Sequence, residues 1–178
     1  MRKLENQELE RLDIQTFKKY PKNPLVLIMD DVRSLNNVGS AFRTADAFLL
    51  EKIYLCGITG SPPHREINKT ALGSTESVSW EYVEDVISLI QNISRQGYKI
   101  VVVEQTDSSV MLMDFSPDTE NSYALVFGNE VFGVNQDLLP MADHCVEIPQ
   151  YGTKHSLNIS VSIGIVVWSM LEKMNKLP

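Results

Sequence analysis

Residues 25–56 read LVLIMDDVRSLNNVGSAFRTADAFLLEKIYLC, and this stretch decides the fold class. Its two ends, 25–30 and 52–56, are short apolar runs rich in β-branched residues, which are typical of buried strands. The segment between them, 38–49, has the apolar spacing of a helix. A buried strand, a helix and a second buried strand in succession predict a parallel sheet that is covered by helices.

The same alternation continues along the chain. We predict further strands at 78–83, 98–105, 123–129 and 145–149, and helices at 65–72, 84–96, 135–142 and from about residue 156. The predicted fold class is therefore α/β, with a mostly parallel sheet flanked by helices. Residues 3–13 suit a short separate helix, and KKYPKNP at 18–24 breaks the chain before the first strand.

The chain has 178 residues, of which 43% are hydrophobic and 22% charged. This composition predicts one globular domain, 24–178, preceded by a basic helical extension, 1–23. The cysteines, Cys56 and Cys145, form no pair at close spacing, which favours a reducing compartment. We find no apolar run of the ~20 residues that a membrane span needs and no signal-peptide core, so we expect a soluble, cytoplasmic protein.

The net charge of −7 weighs at first against a nucleic acid as partner. Its distribution weakens that objection, because residues 1–24 contain six basic and four acidic side chains. The excess positive charge therefore lies in the N-terminal extension.

Ligands of open parallel sheets bind beyond the carboxyl ends of the strands, so the loops after the strands are the candidate sites. One loop ends in Asn36-Asn37-Val38-Gly39 and leads into the helix that contains Arg43, where a helix N-terminus and an arginine suit a phosphate. A second contains Gly128 and Glu130, and a third ends at Asn158. Each loop also has a purely structural interpretation, as a glycine turn or as a helix cap provided by an asparagine or by Ser156.

Other chemistries lack their signatures. The three histidines, His64, His144 and His155, have no metal-ligand spacing with one another or with the cysteines, so we expect no metal. The sequence contains neither a GxSxG elbow nor a GxxxxGK[ST] phosphate loop.

Three motifs in order give a more specific prediction. They are NVGSAFRTADAF at 37–48, LVFGNE at 125–130 with GV at 133–134, and IP at 148–149 with Gly152 and SLNISVS at 156–162. Together they resemble the three motifs of the SpoU/TrmH family of RNA 2′-O-ribose methyltransferases, within the SPOUT superfamily. The resemblance covers about residues 24–175.

The resemblance implies a fold with a deep C-terminal trefoil knot and a bent S-adenosylmethionine as cofactor. It also implies a homodimer whose active site is completed across the subunit interface, in part by the last helix. The substrate would be a structured RNA. We favour tRNA over rRNA, because 24 residues before the domain are too few for a separate RNA-binding domain.

Site residues follow from the resemblance by matching positions. Arg43 matches the catalytic arginine, and Asn37 matches the asparagine that helps to position it; Glu130, Ser156 and Asn158 match the other polar active-site positions. The residues expected around the cofactor are Glu104, Gln105, Thr106, Phe127, Gly128, Ile148, Pro149, Ser156 and Leu157. Phe132 and the pair Gln150-Tyr151 depart from the common pattern, and we expect them to bear on the choice of substrate.

Two alternatives stay open at this point. The chain would be a catalytically inactive RNA- or cofactor-binding module if it had kept the fold without the activity. It would be a small-molecule enzyme if the sheet were of the ordinary dinucleotide-binding kind, although the GxGxxG fingerprint of that fold is absent.

Overall fold

A computed structural model describes residues 1–177 of the chain. Seven strands form one sheet in the order β3-β2-β1-β6-β4-β7-β5, and every neighbouring pair is parallel. The strands are β1 Asn23–Asp30, β2 Leu50–Cys56, β3 Trp80–Val83, β4 Tyr98–Val103, β5 Val110–Met111, β6 Ser122–Phe127 and β7 His144–Glu147. The predicted α/β class with a parallel sheet is confirmed.

Helices cover both faces of this sheet. They are α1 Ile14–Lys19, α2 Leu35–Ala47, α3 Arg65–Ala71, α4 Ser74–Ser77, α5 Val86–Arg95 and α6 Ile159–Lys173, with 3₁₀ turns at Asn6–Leu9 and Gln136–Met141. Alternate residues of β1 point to opposite faces: Leu25 and Leu27 pack with α2 and α6, whereas Val26 and Ile28 pack with α5. Burial on both faces explains why this strand is continuously apolar.

The N-terminal prediction is partly wrong. The helix expected over 3–13 is a single 3₁₀ turn, and the first α-helix begins later, at Ile14. Asp13 fixes that start, because its carboxylate accepts hydrogen bonds from the N–H groups of Gln15 and Thr16. Phe17 of α1 is buried in the core.

Two helix starts and one strand also differ from prediction. Helix α2 begins at Leu35, three residues earlier than expected, because the Ser34 hydroxyl accepts a hydrogen bond from the N–H of Asn37. Helix α6 begins at Ile159 with Asn158 as its N-cap, so the prediction of Ser156 as the cap is wrong. Strand β5 is only two residues long, Val110–Met111, which is too short to give a periodic pattern in the sequence.

The topology brings three loops to one edge of the sheet. Strands β6, β4 and β7 are neighbours, and their carboxyl ends are Phe127, Val103 and Glu147.

None of the helices within residues 1–177 is long and apolar enough to cross a membrane. In the same residues, no group of three or more His, Cys, Asp or Glu side chains is arranged to hold a metal ion. Pro178, the last residue of the predicted domain, lies outside the described residues.

Candidate functional site

A cavity of about 520 Å³ opens at the carboxyl ends of β6, β4 and β7. Many of the residues predicted from the motifs line it: Glu104, Gln105, Phe127, Gly128, Glu130, Ile148, Ser156, Leu157 and Asn158. The structure thus brings together two of the three motif loops and the end of β4 around one space.

The loop after β6 is folded tightly on itself. The backbones of Asn129 and Gly133 exchange two hydrogen bonds of 2.9 Å. A Cβ on Gly128 would lie 2.3 Å from the carbonyl carbon of Gly133, which is too close for any other residue. Gly133 itself has a φ of 72°, a conformation that favours glycine. Both glycines therefore serve a turn that forms one wall of the cavity.

Asn129 holds this turn from inside. Its side chain is 8% exposed; its amide nitrogen donates to the carbonyl of Asp31 at 2.8 Å, and its oxygen accepts from the N–H groups of Val131 and Phe132. Asn129 thus caps the turn, in agreement with the structural interpretation of this loop as a glycine turn. Its link to the loop after β1 was missed, since no local pattern reports a contact between residues 98 positions apart.

Glu104 supports the same loop from the end of β4. Its carboxylate accepts hydrogen bonds from the N–H groups of Val134, at 3.0 Å, and Gln105, at 2.9 Å. Gln105 reaches the other way, and its side chain donates to the carbonyl of His155 at 3.0 Å. These two neighbouring residues therefore connect β4 to both sides of the cavity.

Glu130 joins the first two motifs. Its carboxylate accepts hydrogen bonds from the N–H groups of Arg33 and Ser34 and from the side-chain amide of Asn37, at 3.0–3.1 Å. Burial opposes ionisation of Glu130, but these hydrogen bonds outweigh it and keep its pKa below the usual value. The carboxylate is therefore charged at neutral pH, and its oxygens are engaged in fixing the start of α2.

Arg43 lies apart from this junction. It is exposed on α2, six residues beyond Asn37, which places it ~9 Å further along the helix axis. It does not line the cavity, and neither does the 7%-exposed Asn37. Helix α2 packs closely on α3 at Gly39, where a Cβ would lie 2.3 Å from the carbonyl oxygen of Ile67. Asn37 is thus connected to the cavity indirectly, through its hydrogen bond to Glu130, which lines it. Arg43 lies further along α2.

The third motif forms the other side of the cavity. Residues 151–158 are all exposed, and Asn158 caps α6 by accepting hydrogen bonds from the N–H and hydroxyl of Ser160. Two residues predicted near the cofactor lie outside the cavity lining. Thr106 donates to the sulfur of Cys145, and Pro149 lines a second, apolar cavity beside Trp168.

Comparison with known proteins identifies the family. Residues 24–168 match the model of the SpoU rRNA Methylase family. The chain belongs to this family. The SpoU family predicted from the three motifs is therefore confirmed, and with it a relationship to RNA methyltransferases.

Individual SpoU-family relatives act on different RNAs. A tRNA (guanosine(18)-2′-O)-methyltransferase of Borreliella burgdorferi is 28% identical over 86% of this chain and 69% of its own length. The 23S rRNA (guanosine-2′-O-)-methyltransferase RlmB of Neisseria meningitidis is 30% identical over 81% of this chain and 56% of its own length. The AdoMet-bound rRNA methyltransferase of Sinorhizobium meliloti is 25% identical, has a TM-score of 0.78, and matches 88% of this chain and 59% of that structure.

Proposed function

We propose that this SpoU-family chain transfers the methyl group of S-adenosylmethionine to a ribose 2′-hydroxyl of a tRNA or rRNA. One observation carries the proposal: Glu130 ties the first motif to the second at the mouth of the strand-end cavity, and the third motif lines that same cavity. Motifs that are distant in sequence thus meet where an α/β sheet binds its ligands.

The cavity suits the cofactor by size and by chemistry. Its volume of about 520 Å³ lies within the usual range of small-molecule sites. Phe127, Ile148 and Leu157 offer apolar surface for a purine, and the carboxylates of Glu104 and Glu147 suit a ligand with cationic groups. When bound, S-adenosylmethionine supplies a methyl group on a positively charged sulfur.

The protein's task is then to position the ribose and to ease loss of the hydroxyl proton. A guanidinium group is a planar cationic donor suited to phosphate oxygens, so we assign Arg43 to clamp an RNA phosphate and to stabilise the developing alkoxide. Its exposed place outside the cavity fits a contact to RNA rather than to the cofactor. Ser156 and Asn158 line the cavity and would hydrogen-bond to the reacting nucleotide.

Glu130 fits a positioning role better than that of a general base. Its oxygens already accept three hydrogen bonds, and its lowered pKa makes it a weak proton acceptor. The proton of the 2′-hydroxyl would instead pass to an RNA phosphate held by Arg43, or to water. Asn37 would orient the start of α2 through its bond to Glu130.

A homodimer is the proposed assembly. Val161, Ile165 and Trp168 form an apolar stripe on α6 and are between 38% and 51% exposed. A second cavity, of about 470 Å³, lies beside Ile165 and Trp168 and shares Ile148 with the cofactor cavity. A second copy of the chain would cover this face. Sedimentation equilibrium should give a dimer mass for the wild type and a monomer mass for Trp168→Asp; a monomeric wild type would contradict the assembly.

The domain boundary at residue 24 and the C-terminal trefoil knot are part of the same proposal. Support for a threaded C-terminus comes from Lys173 at the end of α6, whose ammonium donates to the carbonyls of Leu112, Met113 and Phe115. The last helix is thus bound by the segment that follows β5. A crystal structure would contradict the knot if its Cα trace could be pulled straight from the two ends without leaving a knot.

Transfer of a labelled methyl group tests the function. Purified protein, labelled S-adenosylmethionine and separate pools of tRNA and rRNA should yield a labelled 2′-O-methyl nucleoside after digestion. We expect Arg43→Ala to lower kcat/KM about 100-fold, as loss of a charge-stabilising donor does, without changing cofactor affinity. Arg95→Ala, on the helix α5, is the matched control.

The result also separates the alternatives. A labelled base instead of a labelled ribose would overturn the proposal. Binding of S-adenosylmethionine and RNA without transfer would indicate an inactive binding module. A wild-type rate for Arg43→Ala would remove this arginine from the mechanism.

A further inference from the structure

Two apolar side chains stand in solvent at the mouth of the cofactor cavity. Phe132 is 84% exposed and Val131 is 68% exposed, and Val131 lines the cavity. A single exposed apolar residue is ordinary on a protein surface. These two differ because they occupy the tip of the loop after β6, beside residues that the proposed reaction uses.

The loop holds this tip in place without help from either side chain. The N–H groups of Val131 and Phe132 both donate to the buried oxygen of Asn129, at 2.9 and 3.1 Å. Asn129 is itself anchored to the carbonyl of Asp31, and the preceding Glu130 is bound to the start of α2. The ring of Phe132 is therefore presented on a fixed support, where it adds nothing to the packing of its own chain.

A second aromatic ring and two cations lie near the same opening. Tyr151 is 91% exposed and directly follows Gln150, which lines the cavity from the third motif. Arg33 is exposed, and its N–H group binds Glu130, next to Val131 in the chain. Lys154 is exposed in the same segment as Tyr151. Exposed aromatic faces with cations nearby are what proteins use to bind single-stranded nucleic acids.

We propose that Phe132 and Tyr151 form a stacking site for an unpaired nucleobase of the RNA substrate. The proposal rests on the proposed function and specifies its substrate. A base within a duplex is stacked on both faces, so this site selects a nucleotide in a loop, in a bulge or turned out of its helix. Stacking is tolerant of base identity, so the site selects an unpaired state rather than a particular base.

The test uses the full chain and two RNA probes. One is a short single-stranded oligoribonucleotide that contains 2-aminopurine, and the other is the same strand annealed to its complement. We expect the wild type to quench 2-aminopurine fluorescence in the single strand and to bind the duplex more weakly. Phe132→Ala and Tyr151→Ala should each weaken single-strand binding about tenfold, the usual loss for one stacked base. Phe132→Tyr keeps an aromatic ring and should bind the single strand as tightly as the wild type.

Tyr82→Ala is the control for loss of an exposed aromatic residue, because Tyr82 lies on the edge strand β3, three strands away from β6. Thermal unfolding should be unchanged in Phe132→Ala and Tyr151→Ala, because both rings are almost fully exposed. Equal binding of single strand and duplex, or wild-type binding by Phe132→Ala, would overturn the stacking site. Loss of self-association in Phe132→Ala would also overturn it, since the tip would then be a contact between subunits.

The two proposals fail separately. If the wild type methylates RNA but Phe132→Ala does so with unchanged KM, the stacking site is wrong and the methyltransferase stands. If fluorescence quenching depends on Phe132 but no methyl group is transferred, the stacking site stands and the proposed function is wrong.

Discussion

The two sides of the strand-end cavity are built in opposite ways. Residues 128–134, the fixed wall, are tied to the loop after β1 through Asn129 and Glu130, and to β4 through Glu104. Residues 150–158, the open wall, are mostly exposed. Within the described part of the chain, one hydrogen bond reaches this wall from outside its motif, from Gln105 to the carbonyl of His155.

This difference separates two tasks of a binding site. The fixed wall keeps its geometry without a ligand, which is the preorganisation that positioning catalysis needs. The open wall has few contacts to hold it, and segments of that kind open locally at low free-energy cost. We expect a bound cofactor to be aligned by the fixed wall and to order the open one.

The largest effect should come from a methyl group added to the fixed wall. In Gly128→Ala the new Cβ meets backbone atoms of Gly133 and Val134 at 2.3 Å, so the turn must open. We expect a loss of about 3 kcal/mol in the free energy of unfolding, at the upper end of ordinary overpacking. Cofactor affinity should fall at least about 100-fold, or ~2.7 kcal/mol.

Gly152→Ala adds the same methyl group to the open wall. There a Cβ meets nothing within 4 Å, so we expect the free energy of unfolding to change by no more than about 0.5 kcal/mol. Urea unfolding and calorimetric titration with S-adenosylmethionine measure both quantities. Similar losses in the two variants would mean that the walls do not differ in the way described.

A smaller effect is expected for Glu130→Gln, which weakens the bond between the fixed wall and α2. The amide has one acceptor oxygen, so at least one of the three donors loses its partner. Because the site is partly exposed to water, we expect a cost of only about 1–2 kcal/mol in unfolding free energy. Glu84→Gln, on an exposed loop, is the control.

The pH dependence of that cost sharpens the test. The folded pKa of Glu130 is below its ordinary value of 4.5, so its carboxylate stabilises the fold above pH 4.5. This contribution is lost as the pH falls through the lowered pKa, where the carboxylate is protonated in both states. The stability difference between wild type and Glu130→Gln should therefore shrink in acid. A difference that grows as the pH falls would contradict the assignment.

The smallest effect on stability belongs to Gln105→Ala, which removes the tether of the open wall. We expect unfolding to change by less than about 0.5 kcal/mol, because an exposed hydrogen bond contributes little. S-adenosylmethionine affinity should nevertheless fall about threefold, since the free wall must be ordered on binding. Gln91→Ala on α5 is the control, and equal affinities for the two variants would show that the tether has no part in binding.

The contrast between the walls also marks how far sequence alone could lead. The buried strands were predictable because runs such as 25–30 are apolar on both faces, and Asn129 was predictable as a turn cap from its residue type. The bond between Glu130 and Asn37 was not, because it spans 93 positions and depends on β1 lying next to β6. Periodicity predicts strands but does not give their order.

The start of α6 shows a local limit of the same reasoning. Ser156 and Asn158 are both good capping residues, and composition does not choose between them. The structure uses Asn158, which leaves Ser156 in the open wall facing the cavity. The place of Arg43 outside the cavity was equally beyond prediction, since a motif match gives a residue's role in a family and not its distance from a cofactor.

Amide hydrogen exchange, followed by mass spectrometry with and without S-adenosylmethionine, tests most directly whether the cofactor binds between a fixed and an open wall. Amides of 129 and 131–134 are hydrogen-bonded in the protein alone and should exchange slowly in both conditions. Amides of 150–158 should exchange rapidly in the free protein and slow down when S-adenosylmethionine is added. Unchanged exchange in 150–158 at saturating cofactor, or equally slow exchange in both segments without it, would contradict the account.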